Sequence, residues 1–103
     1  MKKMAGTLYF IQPAELVGTN RYKIGCSSKS DLSRLRAYRV GTRILMVLEC
    51  DNPFEVEEKL IAQFNLSFHK VAGNEWFEGN EKEMRAVFYD MYLQYEKRPM
   101  MVD

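Results

Sequence analysis

The chain is 103 residues long, which suits one domain around one core, and its 47% hydrophobic and 13% aromatic content excludes a disordered chain. A formal net charge of +1 gives no global electrostatic reason for a nucleic-acid or membrane partner. The charge is nevertheless segregated: residues 21–43 hold seven Lys/Arg against Asp31, and residues 49–58 hold five acids and no base. Such lobes suit a polyanion held near a cation-binding carboxylate, and they equally suit a solvated helix face.

Taken in chain order, "GTLYFIQ" (6–12) is rich in aromatic and β-branched residues and predicts a strand. "PAELVGTN" predicts a loop punctuated by Pro13, Gly18 and Asn20. "RYKIGCS" (21–27) predicts a second strand, antiparallel to the first as a hairpin. Its alternation sets Lys23 on one face with Arg21 and Gly25, and Tyr22 on the other. Ser30 or Asp31 caps a short helix to about Arg39, which Gly41 ends. "TRILMVLEC" (42–50) predicts a central strand. Asp51 or Asn52 caps the next helix, with Pro53 in its first turn, and that helix runs to about Leu66.

"NEWFEG" (74–79) predicts a short strand or extended segment. Asn80 and Glu83 form a capping-box pattern, followed by Met84, Val87, Phe88, Met91, Tyr92 and Tyr95 at amphipathic helical spacing. The expected fold class is α+β: a small three-stranded antiparallel sheet flanked by helices, in the order ββαβαβα. Residues 1–95 form a single domain and residues 96–103 a flexible C-terminal tail.

Cys26 and Cys50 lack metal-ligand spacing and suit reduced thiols, with a bridge between two strands as the alternative. The N-terminal "MKKMAGTLYFIQP" begins like a signal peptide, but its apolar stretch is too short. No segment approaches a membrane span. The expectation is a soluble intracellular protein with no membrane partner, cytoplasmic, or nuclear in a eukaryotic setting.

One residue of the 53–66 helix is out of place. At roughly 100° per residue, Val56, Leu60, Phe64 and Ile61 span an arc from about 200° to 340° relative to Phe54, and Glu57 falls near 300°. An unpaired carboxylate on a core-facing stripe costs several kcal/mol unless it finds a cation or donors. Glu57 therefore pairs with a basic side chain, reaches water at the margin of the stripe, or sits at the floor of a cleft and binds a divalent cation. In the short helix, Arg34 and Tyr38 are four positions apart and share a face. A guanidinium there suits a phosphate's bidentate geometry. Arg36, Arg39 and Arg43, taken singly, also suit ordinary surface positions.

"GTLYFI", "YKIG", "DLSRLRAY", "PFEVEEKLIAQF" and "EWFEG", in that order, resemble the GIY-YIG nuclease superfamily. The closest branch is the phage- and virus-associated T5orf172/MUG113-like domains, and the resemblance covers about residues 6–80. It implies a three-stranded antiparallel sheet flanked by helices. It places Tyr9 at the tyrosine of the first motif, Arg34 at the helix arginine, Tyr38 at a histidine-or-tyrosine position and Glu57 at the single metal-binding glutamate. In the second motif the position two before Gly25 is Lys23 rather than tyrosine, a "KIG" variant similar to that of the T5orf172-like branch. Trp76 and Phe77 of the "EWF" element are expected to plug the core over the helix carrying Glu57.

The resemblance implies a metal-dependent DNA endonuclease that hydrolyses phosphodiesters by in-line attack of water, leaving a 5′-phosphate and a 3′-hydroxyl. The expected roles are Tyr9 as base, Arg34 on the phosphoryl oxygens and Tyr38 orienting nucleophile or phosphate. Glu57 holds one Mg²⁺ or Mn²⁺. A phenol is mostly protonated at neutral pH, and a nearby ammonium favours the phenolate. Lys23 beside Tyr9 across the hairpin would serve that purpose, would contact the phosphate, or would simply pair with Glu57. Arg21, Lys29, Arg36, Arg39 and Arg43 are candidate DNA contacts. With no appended reading domain and little net charge, substrate selectivity calls for a protein partner or a dimer. The alternatives are a non-catalytic nucleic-acid- or partner-binding module on the same fold, and a structure-selective repair nuclease.

Overall fold

The computed structural model describes residues 6–28 and 35–96. Five strands, β1 (Gly6–Gln12), β2 (Arg21–Ser27), β3 (Arg43–Cys50), β4 (His69–Ala72) and β5 (Trp76–Glu78), form one antiparallel sheet in the order β3-β1-β2-β5-β4. Among the described residues two α-helices, α1 (Pro53–Ser67) and α2 (Glu81–Tyr95), join the sheet in an α+β fold.

The three-stranded expectation is corrected to five strands. The predicted segment at 74–79 is not an isolated extension: β5 pairs with β2 through Arg21–Glu78, Tyr22–Phe77 and Lys23–Trp76. β4 was missed because "HKVA" carries one β-branched residue and no buried side chain. Pairing with β5 across the turn at Gly73 makes it a strand, and no periodicity of its own does.

β1 is buried along its whole length because it is flanked on both sides and covered on both faces. Alternation sends Leu8 and Phe10 to one face and Tyr9 and Ile11 to the other. On the first face they join Ile24, Val56, Leu60, Phe64, Phe77, Met84 and Phe88 in the main core under the helices. Phe10 stacks on Phe88 at 5.7 Å, and Phe64 meets Phe77 edge-on at 5.3 Å. Truncating a buried phenylalanine of this kind costs about 3–5 kcal/mol. On the second face Tyr9 and Ile11 pack with Leu35, Tyr38 and Val47 in a smaller cluster.

The helices follow their sequence signals with two local differences. Asn52 stands at the N-cap of α1, but its side chain makes no capping bond and donates instead to the Tyr95 carbonyl (3.1 Å). Asn80 does cap α2, accepting from Glu83 N–H at 3.0 Å. α2 also lies along the edge strand β3: Arg85 donates to the Leu45 carbonyl (3.2 Å) and the Tyr92 hydroxyl to the Glu49 carbonyl (2.8 Å). Of the predicted helix ending near Arg39, the residues before Leu35 lie outside the described ones, and Leu35–Ala37 form a single 3₁₀ turn.

Cys26 and Cys50 form no disulfide. They lie on β2 and β3, the two strands flanking β1, so they are separated by about 10 Å, beyond disulfide reach. The carboxylate of Glu96 accepts from Asp51 N–H at 3.3 Å, and residues 97–103 of the expected tail lie outside the described ones. Among the described residues no helix is long and apolar enough to cross a membrane.

Candidate active site

The site begins at the β1–β2 hairpin, where Tyr9 stands opposite Gly25. The phenol lies across the glycine: a Cβ at Gly25 would come within 2.2–2.3 Å of Tyr9 Cζ, Cε1 and Oη. Only the absence of a side chain lets the ring occupy that position. Lys23 lies two residues earlier on the same face, opposite Ile11 on one side and Trp76 on the other.

The register sets Lys23 opposite Ile11 and not directly across from Tyr9. The phenol its ammonium meets is that of Tyr38, to which Nζ donates at 2.6 Å. The same ammonium lies 5.1 Å from the Tyr38 ring centroid and 5.4 Å from that of Trp76. Tyr38 in turn meets Tyr9 edge-on, with centroids 6.2 Å apart. Buried Leu35 anchors the turn that carries Tyr38. Tyr9, Lys23, Tyr38 and Trp76 thus form one aromatic-lined cluster around the Lys23 ammonium.

Glu57 approaches from α1. Val56, Leu60 and Phe64 are fully buried and Phe54 is exposed, so the apolar stripe is narrower than the wheel allows. Glu57 sits at its margin, half-buried, with Oε2 wholly enclosed and without a hydrogen-bond partner. Its pKa is pushed up to about 7. Burial is the largest cause, followed by the hydrogen bond with Glu75. The Cys26 thiol opposes the rise, the Glu75 charge adds to it, and the Lys23 ammonium also opposes it.

Glu75 joins the two halves. It precedes β5, its carbonyl accepts from Ile24 N–H at 2.9 Å, and its carboxylate lies 3.9 Å from Lys23 Nζ. The postulated pairing of Lys23 with Glu57 is therefore indirect, running through Glu75. Glu57 and Glu75 together suit a hard cation, which takes one or two carboxylates and completes its shell with water and phosphate oxygens. The enclosed, unpartnered Oε2 is the donor such an ion would satisfy. Among the described residues no group of three or more His, Cys, Asp or Glu could hold a metal.

Other predicted residues lie elsewhere or are committed. Lys29 and Arg34 lie outside the described residues. Arg21 pairs with Glu78 at 3.3 Å. Arg43 grips Glu81 through two bonds, at 2.9 and 3.0 Å, and donates to Gln12 Oε1 at 2.7 Å. That pairing holds the Glu81 carboxyl below the usual range. Tyr22 reaches Glu81 on the helix side of the sheet (3.0 Å), and burial, reinforced by the Glu81 carboxylate, raises its pKa. It cannot stand in for the tyrosine that Lys23 replaces. Arg36 and Arg39 are exposed.

Trp76 is corrected as well. Only Phe77 plugs the core, because neighbours in a strand face opposite ways, and half-buried Trp76 turns to Lys23. Sequence reasoning missed Glu75, Trp76 and Cys26 as neighbours of the site. The β2–β5 register would have found Trp76, since it places that residue directly opposite Lys23.

A cavity of about 370 Å³ at the start of α1, lined by Ser28, Asp51, Asn52, Pro53, Phe54 and Glu55, shares no residue with this cluster. In comparisons with known proteins, a family model described as the T5orf172 domain matches residues 6–91. No curated protein and no solved structure matches.

Proposed function

The chain belongs to the T5orf172 domain family, and from that premise we propose that it is a divalent-cation-dependent endonuclease that hydrolyses DNA phosphodiesters in the GIY-YIG manner. The observation that carries this reading is Glu57: a carboxylate oxygen enclosed on a core-facing helix with no partner, beside Glu75 and facing the Lys23 cluster. A purely structural position would favour an apolar side chain there.

Glu57, with Glu75 beside it, would hold Mg²⁺ or Mn²⁺, which when bound would supply charge stabilisation for the leaving oxygen. The chain's own residues do the rest. In this reading Tyr38 acts as its phenolate: the oxygen, which faces the Lys23 ammonium at 2.6 Å, takes one proton of the attacking water and becomes the neutral phenol. This reassigns to Tyr38 the part expected of Tyr9. Tyr9, fixed over Gly25 and edge-on to Tyr38, holds the reacting phenol in orientation. Arg34, carried over from the family resemblance, neutralises the phosphoryl oxygens.

Supercoiled plasmid incubated with Mg²⁺ or Mn²⁺ should be nicked and linearised by the wild type. It should stay intact with Glu57→Ala, while DNA retardation in a gel persists. Undiminished nicking by Glu57→Ala removes the assignment. Binding without cleavage by the wild type, with either ion, supports the non-catalytic module instead.

A further inference from the structure

Four polar side chains follow one another through the cluster: the Tyr38 hydroxyl, the Lys23 ammonium, the Glu75 carboxylate and the Glu57 carboxyl. Their spacing is uneven. Lys23 Nζ is 2.6 Å from the Tyr38 oxygen but 3.9 Å from Glu75 Oε1. The ammonium therefore leans on the phenol, with the carboxylate as a longer tether. It is also enclosed, its side chain 17% exposed against 37% for Glu75, between the rings of Tyr38 and Trp76. A cation held by two π faces, a phenol and one carboxylate moves when the carboxylate finds a stronger partner.

We infer that Glu75 is a positioning residue that couples the two halves of the site, sharing its charge between Lys23 and the cation beside Glu57. This rests on the proposed cation at Glu57 and adds a consequence to it. With the ion present, Glu75 turns part of its charge to it and its hold on Lys23 weakens. The ammonium is then released toward Tyr38 and the substrate phosphate. The cationic charge that receives the phosphate is thus delivered only when the ion is in place.

Trp76 reports this movement directly. It is the only tryptophan in the chain, and its ring centroid lies 5.4 Å from the ammonium. Wild type titrated with Mg²⁺ should show a saturable change in Trp76 emission, with ion binding measured independently by Mn²⁺ paramagnetic resonance. Glu75→Gln should still bind Mn²⁺ through Glu57 but lose the Trp76 response. Its kcat should fall about tenfold with KM within about twofold of wild type. Lys23→Met should also bind Mn²⁺ and lose the response, since the moving charge is gone.

Both altered side chains lie off the main core, and circular dichroism checks that each variant is folded. The inference is overturned if Glu75→Gln or Lys23→Met keeps the wild-type Trp76 response, or if wild type binds Mn²⁺ with no response at all. A wild type that neither binds Mn²⁺ nor cleaves plasmid overturns the functional reading itself, and this inference with it.

Discussion

Replacing Glu57 by glutamine should make the protein more stable at neutral and alkaline pH while abolishing cleavage. The carboxyl is pushed from 4.5 up to about 7, so below pH 4.5 it is protonated in both folded and unfolded chains. Between those values the folded chain binds the extra proton, and stability falls as pH rises. Above about pH 7 both states are ionised and the loss is complete. Converted in full, the shift corresponds to roughly 3 kcal/mol. Water reaching the half-buried group screens this to about 1–2 kcal/mol.

Glutamine keeps the shape, removes the charge and should flatten that limb of the profile. The gain in Tm at pH 8 is about 4–8 °C for each kcal/mol in a domain of this size. Urea denaturation of wild type and Glu57→Gln at pH 4.5, 6 and 8 measures it. The two curves should converge at the acid end and separate toward pH 8. Parallel profiles, or a variant less stable than wild type at pH 8, would refute the account of Glu57 as a charge kept at a cost to the fold.

Gly25→Ala should destabilise by about 1–3 kcal/mol, because the added methyl overlaps the phenol of Tyr9, which is 1% exposed and has no space to yield. Thermal unfolding measures the loss, and plasmid cleavage should fall with it as Tyr9 is displaced. Arg43→Ala should cost about 1–2 kcal/mol, chiefly by removing the guanidinium from buried Gln12 and from Glu81. Fluorescence anisotropy with labelled DNA at two salt concentrations should find affinity and salt slope unchanged; a reduced slope would return Arg43 to the DNA contacts.

The sequence carried more of the fold than of the site. β1 was legible with its boundaries because Thr7, Tyr9, Phe10 and Ile11 fill it, and β2 because Tyr22 and Ile24 alternate with polar Arg21 and Lys23. α2 was legible because its cap and its buried residues, Met84 and Phe88, are spaced within a few positions of one another. β4 was not, since nothing in "HKVA" prefers a strand until β5 lies beside it. At the site, Glu57 stood out as a charge on the wrong side of a helix. Glu75 did not, because an acid in a turn is unremarkable until Lys23 and Glu57 are brought to it.

What the sequence determined by itself is therefore the local grammar: the hairpin, the capped helices, and one carboxylate at odds with its neighbours. These depend on residues within a turn or two of each other. The tertiary structure alone decided which phenol receives the lysine, which acid links it to Glu57, and which way Trp76 faces. Each of those depends on strand order and register between segments far apart in the chain, and a shift of one residue in β5 would turn Trp76 away from Lys23.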